Sequence, residues 1–280
     1  MTRIVCWNIA KRKQPWTELL EMDLDVALLQ EADAPPSDLE RPVETGPQDY
    51  WEPWEEGLYD RGAMIVKLSE RVGVEWFRRI FPISVAKRDE IPVSGIGTIA
   101  AARVIPTEGE PFIAVSMYAR WLKPHVTTDS KWGVGYPDAS AHRIISDLSA
   151  FIGAIDPSTH RILAAGDLNT IYGATDDNRL ALPARDRTIF ERMDALGLEF
   201  IGPQFPGGRR AKPTPQGLPE DTKNVPTYYT TRQTPETAQN QLDYVFASRG
   251  FHESVTVRAM NDVDEWGSSD HCRIWIEVGP

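Results

Sequence analysis

An apolar run, Ile162-Leu163-Ala164-Ala165, stops at Gly166 and gives way to Asp167-Leu168-Asn169-Thr170. The run reads as a buried strand, and a buried strand obliges the rest of the chain to supply layers that cover it. Asp167 and Asn169 sit two apart, and residues at that spacing point the same way along a strand. At a strand's end the same spacing can bring both side chains to one point. The aspartate is an anionic acceptor that can take a proton or hold a cation; the asparagine amide both donates and accepts. Together they can grip an attacking water and a developing oxyanion. Taken alone, the same residues also fit a polar turn after a strand.

The pattern of an apolar run ending in a polar residue recurs along the chain. Arg3 to Asn8 reads as a first strand with Ile4, Cys6 and Asn8 on one side. Asp25 to Gln30 holds the run Val26-Ala27-Leu28-Leu29, buried on both faces, and is followed by Glu31. Phe112 to Tyr118 ends in a tyrosine, Gln241 to Ser248 carries Asp243 among apolar neighbours, and Asp270-His271 leads into a last strand, Cys272 to Val278. Further strands are predicted at 62–67, 72–77, 98–105, 161–166 and 254–260. Helical spacing marks 14–22, with Pro15 in its first turn, and 139–155; a third helix, 188–196, is closed by Gly197. Long loops occupy 33–60, 119–138 and 202–226. Many strands, few helices and no strict βαβ alternation predict two packed sheets with flanking helices. No linker divides the chain, so residues 1–280 are expected to form a single domain.

Composition narrows the class. The 280 residues are 41% hydrophobic and 25% charged, an ordinary globular balance. No apolar run approaches the roughly 18 residues of a membrane span. The chain as given starts directly in a strand and lacks the apolar core of a signal peptide, so a cytoplasmic location is the expectation. Cys6 and Cys272 are the two cysteines, each in a predicted buried strand, and read as reduced core thiols. The formal net charge of −11 advertises no broad basic face for nucleic acid. Clustered acids can nevertheless hold a divalent metal, and a metal can meet phosphate. The short basic run Lys11-Arg12-Lys13 can contact phosphate or form a solvated loop. A buried Asp243 needs a partner, and a histidine is a natural one, because a carboxylate on one ring nitrogen fixes the other.

Five segments in order resemble the endonuclease/exonuclease/phosphatase superfamily of metal-dependent phosphoesterases. They are Trp7-Asn8, Leu29-Gln30-Glu31, Ala165-Gly166-Asp167-Leu168-Asn169, Leu242-Asp243-Tyr244-Val245 and Ser269-Asp270-His271. Weaker echoes are Arg61-Gly62-Ala63-Met64-Ile65 and Gly97-Thr98-Ile99-Ala100. The resemblance implies an α/β fold, a four-layer α/β sandwich of two mainly antiparallel β-sheets packed face to face with helices outside. It implies Glu31 as principal metal ligand, with Asn8 and Asp270 near the metal, which would be Mg2+ or alternatively Mn2+. Asp167 would orient or deprotonate the attacking water, Asn169 would help hold it, and His271 would contact a phosphate oxygen with Asp243 as its orienting carboxylate. Tyr118 falls where relatives often place a tyrosine or histidine on the phosphate or leaving group. Many DNA-cleaving members carry a further acid two residues after the first asparagine; here that position is Ala10.

The chemistry of the residues agrees with hydrolysis of a phosphate ester. A hard cation prefers a few carboxylate oxygens plus water and phosphate, and nothing in the chain has the Cys or paired-His spacing of a zinc site. The expected partner is a phosphate-ester substrate. Nucleic acid is placed first, with a phosphatase or phosphodiesterase acting on a small molecule or lipid head group as the alternative. A catalytically silent binding module of the same fold is a further alternative. Specificity would reside in the loops near 32–60, 119–138, 171–185 and 202–226, where Trp121, Trp132 and Tyr136 could stack on a base. No protein partner can be inferred.

Overall fold

The structure, a computed structural model, describes residues 1–47, 62–80, 87, 89–94, 98–120, 137–154, 160–175 and 183–280. In chain order its first elements are β1 (Thr2–Asn8), α1 (Gln14–Glu21), β2 (Val26–Gln30), β3 (Glu44–Gly46), β4 (Met64–Lys67) and β5 (Val72–Trp76). Next come β6 (Arg78–Ile80), β7 (Glu90–Pro92), β8 (Ile99–Pro106), β9 (Phe112–Tyr118), α2 (Pro137–Ala154) and β10 (Ile162–Asp167). The remainder is α3 (Pro183–Ala195), β11 (Leu198–Gly202), β12 (Asp243–Ser248), β13 (Val255–Met260) and β14 (Arg273–Val278).

Two six-stranded sheets carry the described chain, in the orders β13-β14-β1-β2-β4-β3 and β11-β12-β10-β9-β8-β5. β6 and β7 form a separate parallel pair. At the centre of each large sheet lies one parallel pair joined by a helix, β1-α1-β2 in the first and β9-α2-β10 in the second. The other pairs within both sheets are antiparallel. Among the described residues, parallel strands joined by a helix are thus confined to these two units, and the βαβ alternation is not strict.

The period-2 alternation of the strands sorts their side chains into layers. Ile4, Cys6, Val26 and Leu28 of the first sheet meet Ala100, Ala102, Leu163 and Ala165 of the second. On the outer face of the first sheet, Val5, Trp7, Ala27 and Leu29 pack with Trp16 and Leu19 of α1. On the outer face of the second, Ile99, Val115, Met117 and Ala164 pack with Ile144, Leu148 and Phe151 of α2 and Ile189 and Met193 of α3. The order is therefore helix, sheet, sheet, helices. Strands covered on both faces need unbroken apolar runs, and each fully buried Leu or Ile contributes roughly 1.5–3 kcal/mol. Both cysteines are buried and free, in line with core thiols.

A polar bridge crosses between the sheets below the strand ends. Gln30 Nε2 donates to Ser116 Oγ at 2.9 Å, and Ser116 Oγ donates to the Leu29 carbonyl at 2.8 Å. It ties the end of β2 to β9 just below the strand ends that carry the polar residues.

Four short strands escape the sequence pattern: β3, β6, β7 and β11. The first three hold three residues each, too few to show alternation. The third helix begins at Pro183 rather than Thr188, with proline at its first position, where no amide donor is required. Its end is as read, Gly197 adopting φ +79°.

Candidate active site

The two parallel units decide where the polar residues meet. Asn8 lies opposite Gln30 across β1 and β2, and Asp167 lies opposite Tyr118 across β10 and β9. Asp167 is also opposite Asp243 across β10 and β12. Because the sheets stack face to face, these strand ends share one edge of the sandwich. Gly166 makes the approach of β10 to β9 possible: a Cβ there would overlap the backbone of Met117.

Asn8, wholly buried, joins the two sheets. Its Nδ2 donates to Asp167 Oδ2 at 3.0 Å and to Glu31 Oε1 at 3.4 Å, while its Oδ1 accepts from the Ala10 amide at 3.0 Å. Tyr118 donates its hydroxyl to the same Glu31 oxygen at 2.9 Å. Asn169 holds Asp167 twice, through its backbone amide to Oδ1 at 2.9 Å and through Nδ2 to Oδ2 at 3.0 Å. Both Glu31 and Asn169 turn off their strands in the left-handed region, at φ +48° and +49°. Such a conformation costs a non-glycine residue of order 1–3 kcal/mol and is found where surrounding contacts hold it, as at functional sites.

A second chain of contacts runs through His271. Its Nδ1 lies 2.9 Å from Asp243 Oδ2, and Thr227 Oγ1 donates to that same oxygen at 2.6 Å. The other carboxylate oxygen of Asp243 is buried without a partner. His271 Nε2 is 3.8 Å from Asp167 Oδ2, too far for a hydrogen bond, so both groups face the same space without being spent on one another. The Tyr228 ring packs on the imidazole at 4.8 Å between centroids. Ser269 donates to the Asn8 carbonyl at 2.6 Å, which anchors Asp270 and His271 to the end of β1.

Burial divides the site into a floor and a rim. Asn8, Asp167, Asp243, Tyr118 and His271 are buried; Glu31, Asn169, Tyr228 and Asp270 are partly exposed. Burial raises the Asp167 carboxyl above the ordinary range, the cation on His271 offsetting part of this and Asp243 adding to it. Burial alone would lower the imidazolium of His271, but Asp243, Asp167 and Asp270 override it, and the net shift is upward. The three carboxylates thus favour a proton on His271, and burial raises the basicity of the Asp167 carboxyl that faces it. Burial, then Glu31 and Asp167, push the Tyr118 phenol up, so it stays a donor. Burial also raises Tyr228, and after it Asp270, Asp167 and Glu31, which places the phenol within the field of all three carboxylates.

All eight residues singled out in the sequence thus fall in one connected region: Asp167, Asn169, His271, Asp243, Tyr118, Glu31, Asn8 and Asp270. Thr227 and Tyr228 join them without having been foreseen. They lie outside the strands, tied in by bridges of Tyr228 to Asn240 and His271. The one available signal was the need of a buried Asp243 for a second donor, which a nearby hydroxyl could meet. Trp121, Trp132 and Tyr136 lie outside the described residues, as do Arg61 and Gly97.

The donor chemistry fits a hard divalent cation. Glu31 offers a carboxylate oxygen 3.4 Å from Asn8 Nδ2, and Asp270 offers one 3.2 Å from the Ser269 hydroxyl, which is bonded to the Asn8 carbonyl. Among the described residues no group of three or more His, Cys, Asp or Glu is placed to hold a metal. A cation held by Glu31 and Asp270 would complete its shell with water and substrate oxygens, which is the habit of Mg2+. No helix among the described residues is long and apolar enough to cross a membrane.

A model of the Endonuclease/Exonuclease/phosphatase family matches residues 5–271. Among solved structures, the chain resembles the AP endonuclease LMAP from Leishmania major, with 17% identity and TM-score 0.61 over 100% of this chain and 88% of that one. It resembles the APE2 catalytic domain of Xenopus laevis, with 17% identity and TM-score 0.60 over 99% and 91%. It also resembles the 3' phosphatase NExo from Neisseria bound to a product DNA hairpin, with 14% identity and TM-score 0.54 over 100% of both chains. A search of curated proteins returned no match.

Proposed function

Because the chain belongs to the endonuclease/exonuclease/phosphatase family, a family of phosphoesterases, we propose that it hydrolyses a phosphate ester by in-line attack of water, with nucleic acid as the first choice of substrate. The observation that carries the proposal is the setting of Asp167, held by Asn8 and Asn169 on one side and facing His271 across 3.8 Å on the other. Residues 1–280 are taken as one catalytic domain, because each sheet that contributes to the site draws on both halves of the chain.

In this reading Asp167 orients the attacking water and accepts its proton. Its raised basicity suits that role, since a base acts best when its pKa nears the working pH. Asn169 keeps the carboxylate aimed and helps hold the water. The His271 imidazolium donates from Nε2 to a phosphoryl oxygen, with Asp243 on Nδ1 fixing the ring. Tyr118 holds Glu31 in place from the neighbouring sheet. Glu31 and Asp270, with Asn8 beside them, would hold Mg2+ or Mn2+. When bound, the cation supplies Lewis acidity and neutralises charge on the phosphoryl oxygens.

The test is hydrolysis across single- and double-stranded DNA, RNA, a nucleotide, an inositol phosphate and a generic phosphodiester, with Mg2+, Mn2+ or EDTA. Asp167→Ala and His271→Ala proteins run alongside, with folding checked. Metal-dependent turnover that both substitutions abolish supports the roles above. Turnover unchanged in the variants would refute them. Preference for the inositol phosphate would move the substrate away from nucleic acid.

A further inference from the structure

Arg209 and Arg210 are neighbours in the loop that follows β11, and the fold treats them in opposite ways. Arg209 is spent on backbone. Its Nη2 donates to the Pro235 carbonyl at 2.7 Å and to the Asn261 carbonyl at 3.1 Å, and its amide donates to Asn261 Oδ1 at 2.7 Å. Asn261 Nδ2 in turn donates to the Pro226 carbonyl at 2.9 Å, one residue before Thr227 of the site. Asn261 follows β13, whose last residue, Met260, lies opposite Arg273, two residues past His271. The loop is thus fastened to the edge of the sandwich that carries the site. Arg210 forms no ion pair among the described residues. Its guanidinium lies 4.2 Å from the centre of the Phe205 ring. Its Nε is buried without a hydrogen-bond partner, and its two terminal nitrogens reach solvent.

Phe205 is 45% exposed, the only exposed aromatic ring among the described residues. Its amide donates to the Lys223 carbonyl at 2.8 Å, so the ring stands on a fixed backbone. From Phe200 to Pro219 the chain holds no acid, its longest such stretch, although 41 of its 280 residues are Asp or Glu. Lys212 and Lys223 are exposed, and neither forms an ion pair among the described residues. A cation held against an open aromatic ring, with no carboxylate to answer it, complements an anion that carries a flat apolar group. A nucleotide strand is such a ligand, because its bases stack on aromatic rings and on arginine while cations track its phosphates.

Resting on the phosphoesterase reading above, we propose that the loop of Phe205 and Arg210 binds an unpaired segment of a nucleic-acid strand, away from the scissile phosphate. An unpaired base stacks on Phe205. Arg210, braced by the same ring, takes a backbone phosphate with its terminal nitrogens, and Lys212 adds charge. Stacking needs a base freed from its partner, which uninterrupted duplex does not offer. The favoured substrate is therefore a polynucleotide with an unpaired segment, rather than a small ester or a continuous duplex.

The test reads binding without turnover. Fluorescence anisotropy in EDTA follows a labelled thymidylate strand, a labelled strand of the same length whose sugars carry no bases, and a labelled continuous duplex, across a salt series. The wild type is compared with Phe205→Ala, Phe205→Trp and Arg210→Gln, each checked for an unchanged melting midpoint. Phe205→Ala should bind the thymidylate strand about tenfold more weakly, in line with the loss of one stacked base, and should bind the baseless strand as the wild type does. Phe205→Trp should keep the wild-type affinity, and the duplex should not respond to Phe205→Ala. Arg210→Gln should weaken both strands and lower the salt slope by about 0.7 for the phosphate no longer neutralised. Thymidylate binding unchanged in Phe205→Ala would overturn the proposal. So would equal loss on the strands with and without bases, an unchanged salt slope in Arg210→Gln, or a wild type that does not bind the strand. Tighter binding of a labelled polyglutamate would also overturn it and assign the loop to an acidic protein segment. Metal-dependent hydrolysis in the substrate panel is a separate result: its loss bears on the catalytic reading alone, and its presence does not rescue a loop that fails these measurements.

Discussion

Asp243 Oδ2 and His271 Nδ1 lie 2.9 Å apart in a site where both residues are buried, and Thr227 donates to the same oxygen at 2.6 Å. One carboxylate oxygen thus fixes the imidazole, while its twin is buried without a partner. Asp243→Asn should keep the shape and remove the charge that holds the proton on His271. The expected loss in kcat is on the order of 100- to 10,000-fold, the worth of a positioned acid or base. Thr227→Val should cost less, on the order of tenfold, since the histidine keeps its charged partner. Steady-state kinetics on the best substrate from the panel checks both. Equal, small losses would show that the imidazolium is not needed.

Glu31 reaches the site from left-handed backbone at φ +48°, held by Tyr118. If it is the principal ligand, Mg2+ should stabilise the folded protein, by about 2.7 kcal/mol at a hundred times its Kd. For a chain of this length the melting midpoint should rise roughly 5 °C or more. EDTA should reverse the rise, and Glu31→Gln should lose most of it. Calorimetry with and without metal measures this directly. A rise of the same size in Glu31→Gln would place the cation elsewhere.

Most of the site was legible because its members share a local signature, an apolar run that ends in a polar side chain. Asn8, Glu31, Tyr118 and Asp167 each close such a run, and two parallel units bring their ends together. Thr227 and Tyr228 were not legible, since their segment has no period and owes its place to pairing with Asn240 and His271. The direction of the Asn8 amide was hidden for a related reason. Its Nδ2 bridges Glu31 and Asp167, a contact set by stacking of the sheets rather than by neighbours in sequence. β3, β6 and β7 were missed because three residues cannot show alternation. β11 follows directly on Gly197, where the end of the helix was read and the strand beyond it was not.

Asp147 of α2 is fully buried, accepts the Ser94 amide at 2.9 Å through Oδ2, and has no partner for Oδ1. Burial is the main cause that lifts its carboxyl above the usual range. The folded state then prefers the protonated form. Stability from this group is fully present below the unfolded pKa and falls as pH rises through the folded one. Asp147→Asn keeps an acceptor for Ser94 and carries no charge. Its melting midpoint should exceed that of the wild type at neutral pH, and the gap should close on acidification. A gap that persists unchanged at acidic pH would mean that the ionised carboxylate is not the cause.

Gly166 precedes Asp167 on a central strand, and a Cβ there would run into the Met117 backbone across the sheet. A backbone neighbour cannot swing aside as the end of a side chain can, so β10 and β9 would have to separate. Gly166→Ala should cost about 3 kcal/mol, at the upper end for overpacking. The melting midpoint should fall by roughly 5 °C. Activity should fall further than stability explains, because the displaced segment ends in Asp167. Gly73 in β5 supplies the control: a Cβ there would meet Ile105 at an ordinary 3.6 Å. Gly73→Ala should be close to neutral in both measurements. Both glycines lie within strands of the same sheet, and they differ in what stands opposite. Similar outcomes for the two would show that reduced chain flexibility, rather than the approach to Met117, governs Gly166.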